Sequence, residues 1–147
     1  TLLTKSSTEV TKTTNAEVFY TYTIPGGTLA VGDILEVKCL AEAPNTTAVN
    51  LALYMEFGGS TLTFTNAGSG ANSRYVLHSF VHITGAATQN LFGEQTTSQY
   101  SAGTGVVYTG RTTATGAISG ALDIKVKLAA SGGTRTITTY GWEVTKK

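Results

Sequence analysis

The chain has 147 residues, a length that fits one domain and can bury roughly 70% of its unfolded surface, so a core needs no disulfide or metal. A net charge of +1, with 13% of residues charged, gives no bulk attraction to nucleic acid or to an anionic membrane, and neither is expected as a partner. The single cysteine, Cys39, excludes an intramolecular disulfide framework, no apolar run is long enough to span a bilayer, and a hydrophobic content of 41% argues against disorder.

Period-two patterns run along the chain, and no window sustains a helical period, so the expected class is all-β. The opening TLLTKSSTEVTKTTN (residues 1–15) is polar, with Leu2, Leu3 and Val10 to pack. It predicts an edge strand or an extended arm ahead of a single sandwich domain over 16–147. EVFYTYTI then places Val18, Tyr20, Tyr22 and Ile24 on one face and Glu17, Phe19, Thr21 and Thr23 on the other. Pro25-Gly26-Gly27 ends this strand, since Pro lacks a ladder donor and Gly admits positive φ. The stretch from Pro25 to Asp33 is expected to be an inter-strand corner, with a ligand loop as the alternative.

DILEVKCLAE turns Leu35, Val37, Cys39 and Ala41 one way, and AVNLALYMEF does the same with Val49, Leu51, Leu53, Met55 and Phe57. Gly58-Gly59 predicts a hairpin into STLTFT, and NAGSGANS a loop. The longest alternation, RYVLHSFVHIT, sets Tyr75, Leu77, Ser79, Val81 and Ile83 on one side. Weaker strands are expected over 88–97 and 104–113. ALDIKVKLAA opposes Leu122, Ile124, Val126 and Leu128 to Asp123, Lys125 and Lys127, and SGG turns it into TRTITTYGWEV. Eight or nine strands with frequent turn signals predict an antiparallel sandwich or barrel.

Residues that carry chemistry are sparse. His78 and His82 share a strand face with Phe80 between them. Four strand residues span about 13 Å, so the pair cannot chelate one metal whose ligands sit about 2 Å away. A single imidazole assisted by distant carboxylates is the remaining metal reading, and a surface or interface pair is the plainer one. Cys39 alternates with Leu35 and Val37, which marks a small buried hydrophobe. Asp33 sits in the Gly-Asp corner, Asp123 beside Lys125, and Glu36, Glu56 and Glu143 at outward strand positions. No two are close enough in the sequence pattern to argue for a glycosidase pair, which leaves open only carboxylates that meet through the fold, and no Gly-x-Ser-x-Gly elbow is present. GSGANS has the look of a phosphate loop but is followed by neither Lys-Ser nor Lys-Thr. Asn45-Thr46-Thr47 matches a glycosylation acceptor. A non-enzymatic chain without a cofactor or metal is therefore expected.

One pattern departs from a water-facing sheet. Val76 and Phe80 oppose the core set of their strand, and Ile34 and Leu40 oppose the Leu35 set. Apolar groups on a second face call for a cover: another strand layer, the N-terminal arm, or a neighbouring subunit. These four residues are the candidate subunit interface. Tyr140 and Trp142, two apart on the last strand, are the candidate sugar platform of an alternative reading. The competing reading puts both, with Val144, in an inward stripe.

YTIPGGTLAVGDILEVKC, LALYMEFGGSTL and RYVLHSFVHITGAATQ, in that order, resemble small β-sandwich proteins of tailed bacteriophages. In these, a YTIPANTL…GD corner precedes a strand, an FGGT hairpin, and a long strand ending in RTGATTQ. The resemblance covers about Phe19 to Gln89 well and the remainder loosely. The chain departs from it in Gly26-Gly27, in Tyr75 where Trp is usual, and in its closing YGWEVTKK. The resemblance implies a jelly-roll-like sandwich and a structural role in the virion, as capsid decoration, head fibre or tail-fibre tip. It also implies a homotrimer whose partners are other virion proteins. The alternative it leaves open is a receptor-binding or carbohydrate-binding module that contacts a host-surface glycan.

Overall fold

A computed structural model of the chain describes residues 1–44, 50–64, 73–99, 105–131 and 136–147. Among them are eleven strands and no helix: β1 (Leu2–Ser6), β2 (Val10–Lys12), β3 (Val18–Ile24), β4 (Ile34–Ala43), β5 (Asn50–Phe57), β6 (Ser60–Leu62), β7 (Ser73–Gly85), β8 (Thr88–Gln99), β9 (Gly105–Ala114), β10 (Leu122–Ser131) and β11 (Ile137–Lys146). All pairings are antiparallel. The larger sheet runs β1-β11-β4-β7-β8-β9, with β2 also on β11, and the smaller runs β3-β10-β5-β6. The chain is thus an all-β antiparallel sandwich. Its strand number exceeds the expected eight or nine partly because residues 1–15 supply two short strands.

The alternating stripes meet between the sheets. Leu35, Val37, Cys39 and Ala41 of β4 and Tyr75, Leu77, Val81 and Ile83 of β7 are buried from one side. Leu51, Leu53, Met55 and Phe57 of β5 and Leu122, Ile124, Val126 and Leu128 of β10 are buried from the other. Each large aliphatic or aromatic side chain so placed contributes about 1.5–3 kcal/mol. Phe19 departs from the expected alternation. The register of β3 against β10 shifts, so that Val126 pairs with Tyr20 but Lys127 with Val18. Phe19 is the extra residue of that bulge, and both it and Tyr20 are buried.

The stretch from Pro25 to Asp33 is a packed joint. A Cβ on Gly26 would collide with the Ser119 carbonyl oxygen, and Gly27 has φ +76°, so side chains are excluded at one position and strained at the next. Gly27 N–H donates to the Ile118 carbonyl at 2.9 Å and Gly32 N–H to that of Ile83 at 2.8 Å. The Asp33 carboxylate accepts from Lys146 Nζ at 2.8 Å and from Ala30 N–H at 2.8 Å, and both bonds hold its pKa below the usual range, Lys146 the more. The last strand also closes on the first residue, with Lys146 N–H donating to the Thr1 carbonyl at 2.7 Å.

Leu77 has no solvent exposure and sits mid-strand between the sheets. Leu77→Ala is expected to cost about 2–5 kcal/mol, read as a lowered midpoint in chemical denaturation with unchanged slope.

Candidate functional site: the outer face of the larger sheet

The cross-strand register of β1, β11, β4, β7, β8 and β9 arranges the outward side chains in rows perpendicular to the strands. One row joins Leu40, Val76, Thr96 and Val107, with Gly141 on its β11 end. The next joins Lys5, Glu143, Lys38, His78 and Glu94. A third joins Thr145, Glu36, Phe80, Phe92 and Arg111, and a fourth Ile34, His82 and Asn90. The surface is therefore banded: an aliphatic row, a charged row, then an aromatic row.

Leu40 and Val76 are direct cross-strand partners and stand 54% and 42% exposed. Phe80 stacks on Phe92, with centroids 5.2 Å apart and planes at 19°, and His78 tilts against Phe80 at 4.7 Å. Ile34 is half-buried at the start of β4, opposite His82. The four candidate interface residues therefore do not form one continuous patch. The Lys38–His78 pair separates Leu40 and Val76 from Phe80, and Phe80 has gained Phe92 as a companion.

The charged row is tied to the aromatic one by Glu36 of the latter, whose side chain is only 10% exposed although it lies on the outer face. Lys147 Nζ reaches Glu36 Oε2 at 2.8 Å, and His78 Nε2 and Lys38 Nζ lie 2.7 Å and 3.1 Å from Oε1. These three partners, Lys147 foremost, hold the carboxyl down at about 2. Lys38 also lies 3.8 Å from Glu143. The outer face of the smaller sheet has a different character. Lys127 and Lys125 flank Glu56 at 3.0 Å and 3.3 Å, and Thr23 donates to Asp123 at 2.7 Å. That face is a polar lattice of mutually satisfied groups.

Tyr140 and Trp142 do not share a face, so neither the sugar platform of the alternative reading nor a shared inward stripe is built. The register of β11 against β4 shifts between Thr139 and Gly141, so one residue is inserted and the phase of the strand reverses. Trp142 is 5% exposed and stacks on Tyr20 of the facing sheet, centroids 5.4 Å apart and planes at 7°. Tyr140 is 40% exposed, outside the inward stripe, and its hydroxyl donates to Glu42 Oε2 at 3.0 Å. Gly141 makes the bulge possible: its φ is +150°, and a Cβ there would sit 2.7 Å from the Ser6 carbonyl oxygen.

Of the other aromatic candidates, Tyr20 is buried, Tyr22 and Tyr108 pack against the core, and Tyr54 lies under Lys127 Nζ at 5.5 Å. Tyr100, Val49, Asn45-Thr46-Thr47 and residues 68–72 of GSGANS lie outside the described residues. Burial pushes the Cys39 thiol up to about 12, so it is not a thiolate at neutral pH. Among the described residues, no three His, Cys, Asp or Glu side chains converge as metal ligands.

The bulge at Gly141 also opens a groove of about 420 Å³ on the outer face, lined by Lys5, Leu40, Val76, Glu94 and Tyr140 among others. No protein-family model matches the chain, and no curated protein matches it.

The Glu36 cluster gives a pH signature. Its folded pKa lies near 2 against the usual 4.5, so the stabilisation is fully present above pH 4.5 and drains away as the pH falls towards 2. Glu36→Gln is expected to lower the melting temperature at pH 7 and to flatten its decline between those two values, measured by calorimetry across the acid range.

Proposed function

We propose that the chain is a non-enzymatic structural protein of a tailed-bacteriophage virion, a capsid decoration or head-fibre component that assembles as a homotrimer. The observation that carries this reading is the contrast between the two outer faces. Both carry ion pairs, but among the described residues the larger sheet's face adds the Phe80–Phe92 stack, in which Phe92 stands 42% exposed. Exposed aromatic pairs on an otherwise polar surface are the usual anchors of a protein interface.

The strand order supports the jelly-roll part of the reading. The strands β1, β11, β4 and β7 face β3, β10, β5 and β6, and this is how the eight strands of a jelly roll interleave. On that assignment β8 and β9 are a hairpin added to one sheet, and it is this addition that brings Phe92 beside Phe80. Trimeric assembly and the virion location come from the sequence resemblance.

Light scattering at micromolar concentration is expected to give a trimer that persists at raised salt, because apolar contact is not screened. Its interface should bury more than about 1,000 Å² in total, and Phe80→Asp should dissociate it. A wild-type monomer overturns the assembly. Immunogold labelling of virions produced from a genome encoding the chain is expected to mark the heads. Label at the tail tips alone would favour the receptor-binding reading, and unlabelled virions would overturn both.

A further inference from the structure

We propose that the groove beside Tyr140 is a binding site for a short neutral saccharide. It is built by the β11 bulge, which turns Tyr140 out of the core stripe and into the lining of a groove that Leu40 and Val76 share. Bulges recur beside binding and active sites because they re-aim a side chain in this way. The ring is held in place: its hydroxyl is bonded to Glu42, which Arg74 Nε in turn holds at 2.9 Å. An aromatic ring fixed before a ligand arrives loses little freedom on binding.

The charged row selects the ligand's chemistry. Lys5, Glu143, Lys38, His78 and Glu94 cross five strands, roughly 19 Å at sheet spacing, and set two ammonium groups alternately with two carboxylates. An anion drawn to Lys5 or Lys38 would also meet Glu143 and Glu94. A sugar ring meets no such conflict, because its hydroxyls both donate to carboxylates and accept from ammonium groups. Its C–H face can lie on Tyr140, Leu40 and Val76. Lys5 and Glu94 make no ion pair among the described residues and are available for this. The volume of about 420 Å³ falls within the range of small-molecule sites, about 300–1,000 Å³.

The inference does not rest on the virion reading, since assembly is assigned to the Phe80–Phe92 row across the charged band. An array of immobilised neutral, sialylated and sulfated oligosaccharides tests it, followed by calorimetric titration with the strongest neutral binder. Neutral glycans are expected to be captured. Tyr140→Ala should weaken binding at least about tenfold with an unchanged melting temperature, and Tyr140→Phe should fall between that and wild type. Phe80→Asp should leave sugar binding intact while altering the oligomer. Capture of acidic glycans alone, capture of none, or an unchanged affinity in Tyr140→Ala overturns the proposal. So does loss of binding in Phe80→Asp, which would make the site a product of assembly rather than of this groove.

Discussion

The register of β11 against β4 governs both faces of the larger sheet. Before the bulge, Ile137 and Thr139 point inward; after it, Trp142 and Val144 do. Without the inserted residue, either Thr139 or Trp142 would be turned to solvent. With it, the two meet Tyr20 together: the indole stacks on its ring while Thr139 Oγ1 lies 2.9 Å from its hydroxyl. That junction ties β11 of one sheet to β3 of the other. The same bulge falls opposite the break between β1 and β2, where the N-terminal arm leaves the sheet. Core closure, the arm's interruption and the position of Tyr140 therefore share one cause.

Legibility in the sequence followed the regularity of the ladder. On β4, β7 and β10 an uninterrupted alternation assigns every inward residue correctly, because period two holds wherever no residue is inserted. Phe19 and Tyr140 were misplaced for the converse reason. Each lies at a register shift, and hydrophobic alternation contains no signal for an insertion. The Gly at 141 was the available hint, since Gly inside a strand pattern often marks a bulge.

Phe92 was missed through a different mechanism. The inward face of β8 carries buried Gln89, Gln95 and Thr97 with Leu91 as its one large apolar side chain, so the strand shows no apolar stripe from which its outward face could be inferred. The Gln89 amide and the Gln95 carbonyl oxygen make hydrogen bonds there, while Gln95 Nε2 and Thr97 Oγ1 are buried without one. Gln95 Oε1 accepts from Leu53 N–H across the sandwich at 2.6 Å, and Gln89 bonds both polar groups of the Gly116 backbone. Of the site, Leu40, Val76 and Phe80 were readable as outward and apolar. The banding that divides them was not, because it depends on which residues face each other across strands far apart in the chain.

The contact between Thr1 and Lys146 makes the fold nearly a closed loop of chain. Residues 1 and 147 lie side by side, at the same margin of the larger sheet. A few residues of linker would join them covalently, and the chain could then be opened at a turn such as Gly58-Gly59, where Gly59 is exposed. For the same reason, segments joined to residue 1 and to residue 147 would depart from one spot on the sandwich. Two such segments would be held as neighbours, and the sandwich would act as a clasp between them rather than as a spacer.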